Sequence, residues 1–213
     1  YDIVHCQSPI GGVIARLACK KARKHGTKVI YVAHGFHFYK GASIKNWMLF
    51  YPIEKYCARY TDCLITMNQE DYNFAQRKMN KAKHIKYIPG VGINTQEINS
   101  IDVDIDSKRK ELGIPANSTI IVSVGELNRN KNHEVIIRAL AEINNPSIHY
   151  IICGKGPLKD YLMTLSKELH LDQNVHILGY RKDVIEILKS SDIFAFPSIR
   201  EGLSVSMMEA MAA

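Results

Sequence analysis

The 213-residue chain predicts an α/β protein built from two Rossmann-like parallel-sheet domains. Three observations lead there. Short apolar runs alternate with stretches of helical spacing along the whole sequence, glycine or proline closes most of the apolar runs, and the composition changes near residue 95. The expected domains are residues 1–95 and 96–213.

In the first half, Asp2 to Cys6 reads as a strand, and Ser8-Pro9-Ile10-Gly11-Gly12 as the turn after it. Val13, Leu17 and Ala18 carry helical spacing, which ends in a basic run closed by Gly26. Val29 to Ala33 is the next strand, so the three elements form a parallel βαβ unit. The loop that follows, His34-Gly35-Phe36-His37-Phe38-Tyr39-Lys40-Gly41, sits at a strand's carboxyl end, where ligands bind in such sheets. Residues 45–60 predict a helix that Pro52 kinks or restarts. Its Trp47, Phe50 and Tyr51, among Lys45, Lys55 and Arg59, suit either a membrane interface or an ordinary packed helix. A strand at Cys63–Met67, a helix capped by Asn68 and running to Met79, and a strand at Ile85–Ile88 complete this half.

Residues 94–108 read as a linker. Their alternating Asp102, Asp104 and Asp106 lack the glycine and glutamate spacing of a calcium loop, so no metal is expected there. Four strands follow, at Thr119–Val124, Ile148–Cys153, Val175–Leu178 and Asp192–Phe196. Helices at about 131–143, 157–170 and 181–190 separate them. The loops hold Gly125-Glu126-Leu127-Asn128-Arg129-Asn130-Lys131-Asn132, Gly154-Lys155-Gly156-Pro157 and Gly179-Tyr180-Arg181-Lys182-Asp183. Neither a dinucleotide fingerprint nor a P-loop is present.

The last stretch, Pro197 to Ala212, is the richest in chemistry. Pro197 stops the strand, Gly202 turns the chain, and a helix is expected from Leu203. Glu201 then lies in the loop and Glu209 two turns along the helix. Free backbone N–H groups between them suit an anion such as phosphate.

Composition sets the outer bounds. At 46% hydrophobic residues the chain can bury one large core or two small ones. No apolar run approaches the ~18 residues that span a bilayer. Five cysteines without a CxxC pair point to reduced thiols in a cytoplasmic protein, not to a disulfide framework or metal site. Residues 1–98 hold 15 Lys and Arg against 6 Asp and Glu, and residues 99–213 hold 13 against 15. A basic half beside a nearly neutral one suits an anionic surface, though a plain solvated basic face is the competing reading.

Several motifs in order resemble a family 4 type glycosyltransferase of the GT-B fold, the retaining class that uses nucleotide sugars. They are "YVAHGFHFYKGAS", "SVGELNRNKNHEVIIRAL", "ICGKGPLKDYL", "VHILGYRKDVIEILKSSDIFAFPS" and the two glutamates with seven residues between them in "PSIREGLSVSMMEAMA". "YIPGVGIN" and the first motif are similar to the subgroup that builds bacterial capsular polysaccharides and exopolysaccharides. The resemblance implies two Rossmann-like domains facing across a cleft, here truncated at both ends. Residues 1–95 would be the later part of the acceptor-side domain, and residues 96–213 most of the nucleotide-sugar domain.

The resemblance also implies roles. Lys131, with Gly125 and Arg129, would meet the donor diphosphate, joined by backbone donors at Gly202 and Leu203. Where the family often carries arginine after the first glycine, this chain has Glu126. Glu201 would sit by the sugar and the reacting carbon, Glu209 by the ribose, His34 by the transferred sugar, and Tyr180 and Arg181 by the base. No cofactor or metal is implied, and a UDP donor is expected ahead of a GDP one. The acceptor would be a lipid-linked saccharide, with peripheral contact to an anionic membrane at its cytoplasmic face and no nucleic acid as partner. A chain starting at Tyr1 and ending inside a helical stretch is expected to be part of a longer polypeptide, with exposed apolar sheet edges and weak transfer alone. The competing readings are a nucleotide-sugar epimerase, a sugar phosphorylase, or a polyanion-binding domain suggested by charge alone.

Overall fold

A computed structural model describes all 213 residues, which divide into two compact units, Tyr1–Val91 and Gly92–Ala213. The first contains β1 (Ile3–Cys6), α1 (Pro9–Ala18), α2 (Lys20–Lys24), β2 (Lys28–Ala33), α3 (Ile44–Ala58), β3 (Cys63–Thr66), α4 (Gln69–Lys78) and β4 (His84–Tyr87). Its strands pair in parallel in the order β1-β2-β3-β4. The helix expected after β1 breaks at Cys19 into α1 and α2. Pro52 lies inside an unbroken α3, whose start is capped by Ser43.

The core of this unit gathers Tyr31, Phe36, Phe38, Leu64 and Met79, with Trp47, Tyr51 and Phe74 packed around the Phe38 ring. Trp47 and Tyr51 therefore face inward. The large apolar side chains that α3 exposes are Ile44, Met48, Leu49, Ile53 and Tyr56. Beneath the helices lies a buried ion pair. Arg16, 1% exposed, grips Glu54 through two hydrogen bonds of 2.8 and 3.1 Å and stacks 3.9 Å above the Tyr31 ring. Gly12 makes room for that ring, since a Cβ there would lie 2.6 Å from it.

The second unit contains α5 (Thr95–Ser100), α6 (Ile105–Glu111), β5 (Thr119–Val124), α7 (His133–Ile143), β6 (Ile148–Cys153), α8 (Lys159–Glu168), β7 (Val175–Gly179), α9 (Val184–Lys189), β8 (Ile193–Phe194) and α10 (Val205–Ala212). The expected linker is instead the pair α5 and α6, capped by Asn94 and Asp104. Asp104 accepts from the Ser107 amide at 3.1 Å and the Ser107 hydroxyl at 2.7 Å, so this aspartate serves a helix start. The last strand is shorter than its apolar run, and the last helix begins after Ser204, not at Leu203.

All four strands are parallel, in the order β7-β6-β5-β8. Alternate side chains of the central strands enter two cores. Ile120, Val122, Ile151 and Cys153 pack with Ile187 on one face, while Tyr150 and Ile152 pack with Ile137, Leu140 and Leu162 on the other. The direction of winding reverses between β5 and β8, and in open α/β sheets the crevice at such a reversal is where ligands bind.

A buried polar chain runs beneath that crevice. Ser123 Oγ lies 2.6 Å from the Ala195 carbonyl and must donate to it; Tyr150 then donates to Ser123 at 2.8 Å, and His133 Nδ1 donates to the Tyr150 oxygen at 3.0 Å. The chain ties the start of α7 to the end of β8. Burial pushes His133 from its ordinary 6.5 down to about 4, and burial also lowers His149 and His176.

Two predictions follow from these contacts. Replacing Arg16 with Met strands a buried carboxylate and should cost about 3–5 kcal/mol, whereas the double change Arg16→Met with Glu54→Leu should cost less. Thermal unfolding followed by circular dichroism measures both. The second concerns pH. An unfolded His133 takes up its proton near 6.5 but the folded one only near 4, so its contribution is complete above pH 6.5 and lost as pH falls to 4. The second unit should lose about 3 kcal/mol over that interval from this group, and His133→Asn should flatten the urea midpoint against pH.

Candidate functional site

The loops after β5 and β8 flank the reversal in the second sheet, and they carry Lys131 and Glu201. Lys131 Nζ sits 2.7 Å from Glu201 Oε1, and both side chains are about four-fifths buried, at 19% and 23% exposed. The Lys131 stem lies across Gly125, where a Cβ would meet its Cδ and Cε at 3.1 Å, so the glycine keeps the path open. The ammonium lies 5.6 Å from the centroid of Phe196. Asn128 steers the loop, accepting from the Lys131 amide at 2.9 Å and donating to Glu126 at 2.9 Å. The Glu126 carboxylate is thus engaged within its own loop.

Gly154 fixes this loop from the side. A Cβ there would fall 1.8 Å from the Gly125 carbonyl oxygen, and one at Gly156 would fall 2.5 Å from that of Leu127. Backbone contact this close needs glycine. It lets the Leu127 amide donate to Lys155 at 3.0 Å and the Leu158 amide donate to Leu127 at 2.9 Å.

Gly202 and Leu203 form the exposed bend before α10, and the Ser204 hydroxyl accepts from the Met207 amide at 3.4 Å. Glu209 lies half-buried on α10, and burial raises its carboxyl above the ordinary value. The structure thus brings Lys131, Gly125 and Glu201 together directly, with the start of α10 continuing from Glu201. Arg129 goes elsewhere: it is exposed on a separate cavity of about 470 Å³, beside Asn132, Leu158 and Tyr161. Tyr180 is 69% exposed. Arg181 bonds Asp183 at 2.7 Å and Glu111 at 2.8 Å, and its guanidinium holds the Asp183 carboxyl well below the usual range.

In the first unit, His34 follows β2 and bonds Gln7 Oε1 through Nε2 at 3.1 Å. It lines a cavity of about 430 Å³ with Gln7, Ser8, Tyr31 and His37, and the His37 ring stacks on Phe50 at 4.5 Å. Reasoning from sequence passed over Gln7, Asn128 and Asn130. The polar run at 128–132 marked a loop, but nothing in it showed which amides would bridge to residues 70 positions away.

Comparison with known proteins places this geometry. The profile of the glycosyl transferases of group 1 matches residues 104–213, and that of Glycosyltransferase Family 4 matches residues 1–97. EpsD of Bacillus subtilis (strain 168), named as a glycosyltransferase, is 42% identical over the whole chain, which covers 57% of EpsD. UDP-Gal:alpha-D-GlcNAc-diphosphoundecaprenol alpha-1,3-galactosyltransferase of Escherichia coli is 32% identical over the whole chain, which covers 56% of it. The chain therefore spans just over half the length of these relatives. Among solved structures, Anabaena HepE in complex with UDP-glucose superposes with a TM-score of 0.82 at 22% identity, over 100% of this chain and 57% of HepE. With that fold and both profiles matched, the chain belongs to the group 1, family 4 type glycosyltransferases of the GT-B fold.

Proposed function

We propose that this protein transfers a sugar, with retention, from a nucleoside diphosphate sugar to a lipid-linked saccharide in surface polysaccharide synthesis. The donor is a uridine diphosphate sugar ahead of a guanosine one, and neither metal nor organic cofactor takes part. The observation that carries this reading is the convergence of Lys131, Glu201 and the start of α10 at the winding reversal of the second sheet. A nucleotide sugar offers a diphosphate, a hydroxyl-rich ring and a ribose, and these residues answer each part. Support also comes from the relatives: the E. coli enzyme's name specifies UDP-Gal and a diphosphoundecaprenol acceptor, and HepE holds UDP-glucose.

The chemistry runs as follows. Cleaving the glycosyl–phosphate bond moves negative charge onto the leaving diphosphate and gives the ring oxocarbenium character. Lys131 stabilises the phosphate charge, together with backbone N–H groups from Gly202 and Leu203 into the first turn of α10. Glu201 orients the sugar and Glu209 accepts from the ribose hydroxyls, while His34 of the first unit is a further candidate for contact with the transferred sugar. Retention follows if the acceptor hydroxyl attacks the face the phosphate leaves, passing its proton to a phosphate oxygen. Tyr180 and Arg181 serve the rim of the donor site, toward the base.

For the membrane, the first unit offers an apolar groove of about 200 Å³ between α1 and α3, lined by Ile10, Val13, Ile14, Phe50 and Ile53. Cations border the same helices, with Lys20 and Arg59 lying over the Tyr60 and Tyr56 rings at 4.4 and 4.5 Å. No helix is long and apolar enough to cross a membrane. An apolar strip with a basic edge suits peripheral contact with an anionic cytoplasmic leaflet.

Two measurements test the proposal. Calorimetric titration with a panel of UDP- and GDP-sugars should find a UDP-sugar that binds, and Glu209→Ala should weaken it at least about tenfold by removing a charge-assisted hydrogen bond. Equal binding by the variant would sink the ribose assignment. In flotation assays the protein should rise with phosphatidylglycerol vesicles and not with phosphatidylcholine, less so at high salt, and Ile14→Asp with Ile53→Asp should abolish it. Absence of flotation at every salt concentration would refute the membrane part.

A further inference from the structure

The donor reading assigns Lys131 and Glu201 to different parts of one ligand, the diphosphate and the sugar. Yet the two are bonded to each other at 2.7 Å. The residue that brings them together is Asn130, which no functional reading had singled out. Its carbonyl accepts from the Ile199 amide at 2.8 Å, and its side-chain oxygen accepts from the Arg200 amide at 3.2 Å. Its side-chain nitrogen donates to the Arg200 carbonyl at 2.8 Å and to Glu201 Oε1 at 3.4 Å. Four hydrogen bonds from one residue lock the Ile199–Glu201 segment to the Lys131 loop. The carboxylate oxygen that Asn130 holds is the one that meets the ammonium.

We propose that Asn130 is a positioning residue for donor selection: it holds Glu201 where it neutralises Lys131, so the site favours a complete nucleotide sugar over a bare nucleoside diphosphate. The inference rests on the donor reading above. A diphosphate alone that draws Lys131 away from Glu201 leaves that carboxylate without its cation. A nucleotide sugar replaces both partners at once, a phosphate oxygen for Lys131 and a sugar hydroxyl for Glu201. The released diphosphate is therefore the weaker ligand, and its departure restores the pair.

The test is isothermal titration of the protein, Glu201→Gln and Asn130→Ala with UDP, UDP-glucose, UDP-galactose and UDP-N-acetylglucosamine. Glu201→Gln keeps the side chain's shape but removes the competing charge, and should bind UDP about 3- to 10-fold more tightly than the parent. Asn130→Ala should shift UDP affinity in the same direction by less, and both variants should lose much of the parent's preference for a UDP-sugar over UDP. Damage to a structural loop would weaken UDP binding instead, so tighter binding separates positioning from scaffolding. Unchanged or weaker UDP binding by Glu201→Gln overturns the proposal while leaving the donor reading standing. A parent protein that binds neither UDP nor any nucleotide sugar overturns both.

Discussion

The contact on which the candidate site of the second unit depends involves no charge. It is the approach of Gly154 to the Gly125 carbonyl, so close that a single added carbon would overlap the oxygen. That approach lets the β6–α8 loop hydrogen-bond to Leu127 in both directions, and so gives the Asn-rich loop after β5 one conformation. Asn128 then sets the Lys131 amide, and Asn130 reaches the strand-to-helix segment after β8. Beneath them the His133–Tyr150–Ser123 chain joins the same two segments from inside the sheet. A lysine and a glutamate 70 residues apart meet because backbone above and side chains below leave the loops little freedom.

Much of this architecture was legible in the sequence because it is periodic. The strands at Val29–Ala33, Thr119–Val124 and Ile148–Cys153 are apolar runs broken only by Thr119, Ser123 and His149, close to what strands buried on both faces require, and they fall where expected to within a residue. The region around 94–108 was read as a linker, yet it folds as two short helices. The better signal was local: Asn94 three residues before Glu97, and Asp104 three before Ser107, are helix-start patterns, and both form the bonds such patterns predict. The aromatic set of α3 had left two readings open. Composition could not tell which face Trp47 and Tyr51 occupy, and the packing of Phe38 and Phe74 decided it.

The candidate site was legible only in part. Lys131, Glu201 and Glu209 stand out as charges in loops or at a helix start, and motif resemblance gave each a place. The adjacency of β5 and β8 is a property of strand order, which no local pattern encodes, and the partners of Asn130 depend on it. Arg129 shows the converse. By charge and spacing it looked like a companion to Lys131, yet two residues along a tight loop turn a side chain toward a different cavity.

Both sheets are secured in the same way at one end. In the first unit Asp62 accepts from the Val29 amide at 2.8 Å and holds Arg23; in the second, Asp192 accepts from the Ile120 amide at 2.7 Å and holds Arg109. Each arginine also donates to nearby carbonyls, closing the neighbouring turns. These clamps sit at the amino ends of the strands, while the loops that carry His34, Lys131 and Glu201 leave from the carboxyl ends. The clamps and the candidate site residues therefore lie at opposite poles of each sheet. Substitutions in the upper loops leave the clamps below intact, so those loops can vary widely without eroding the fold.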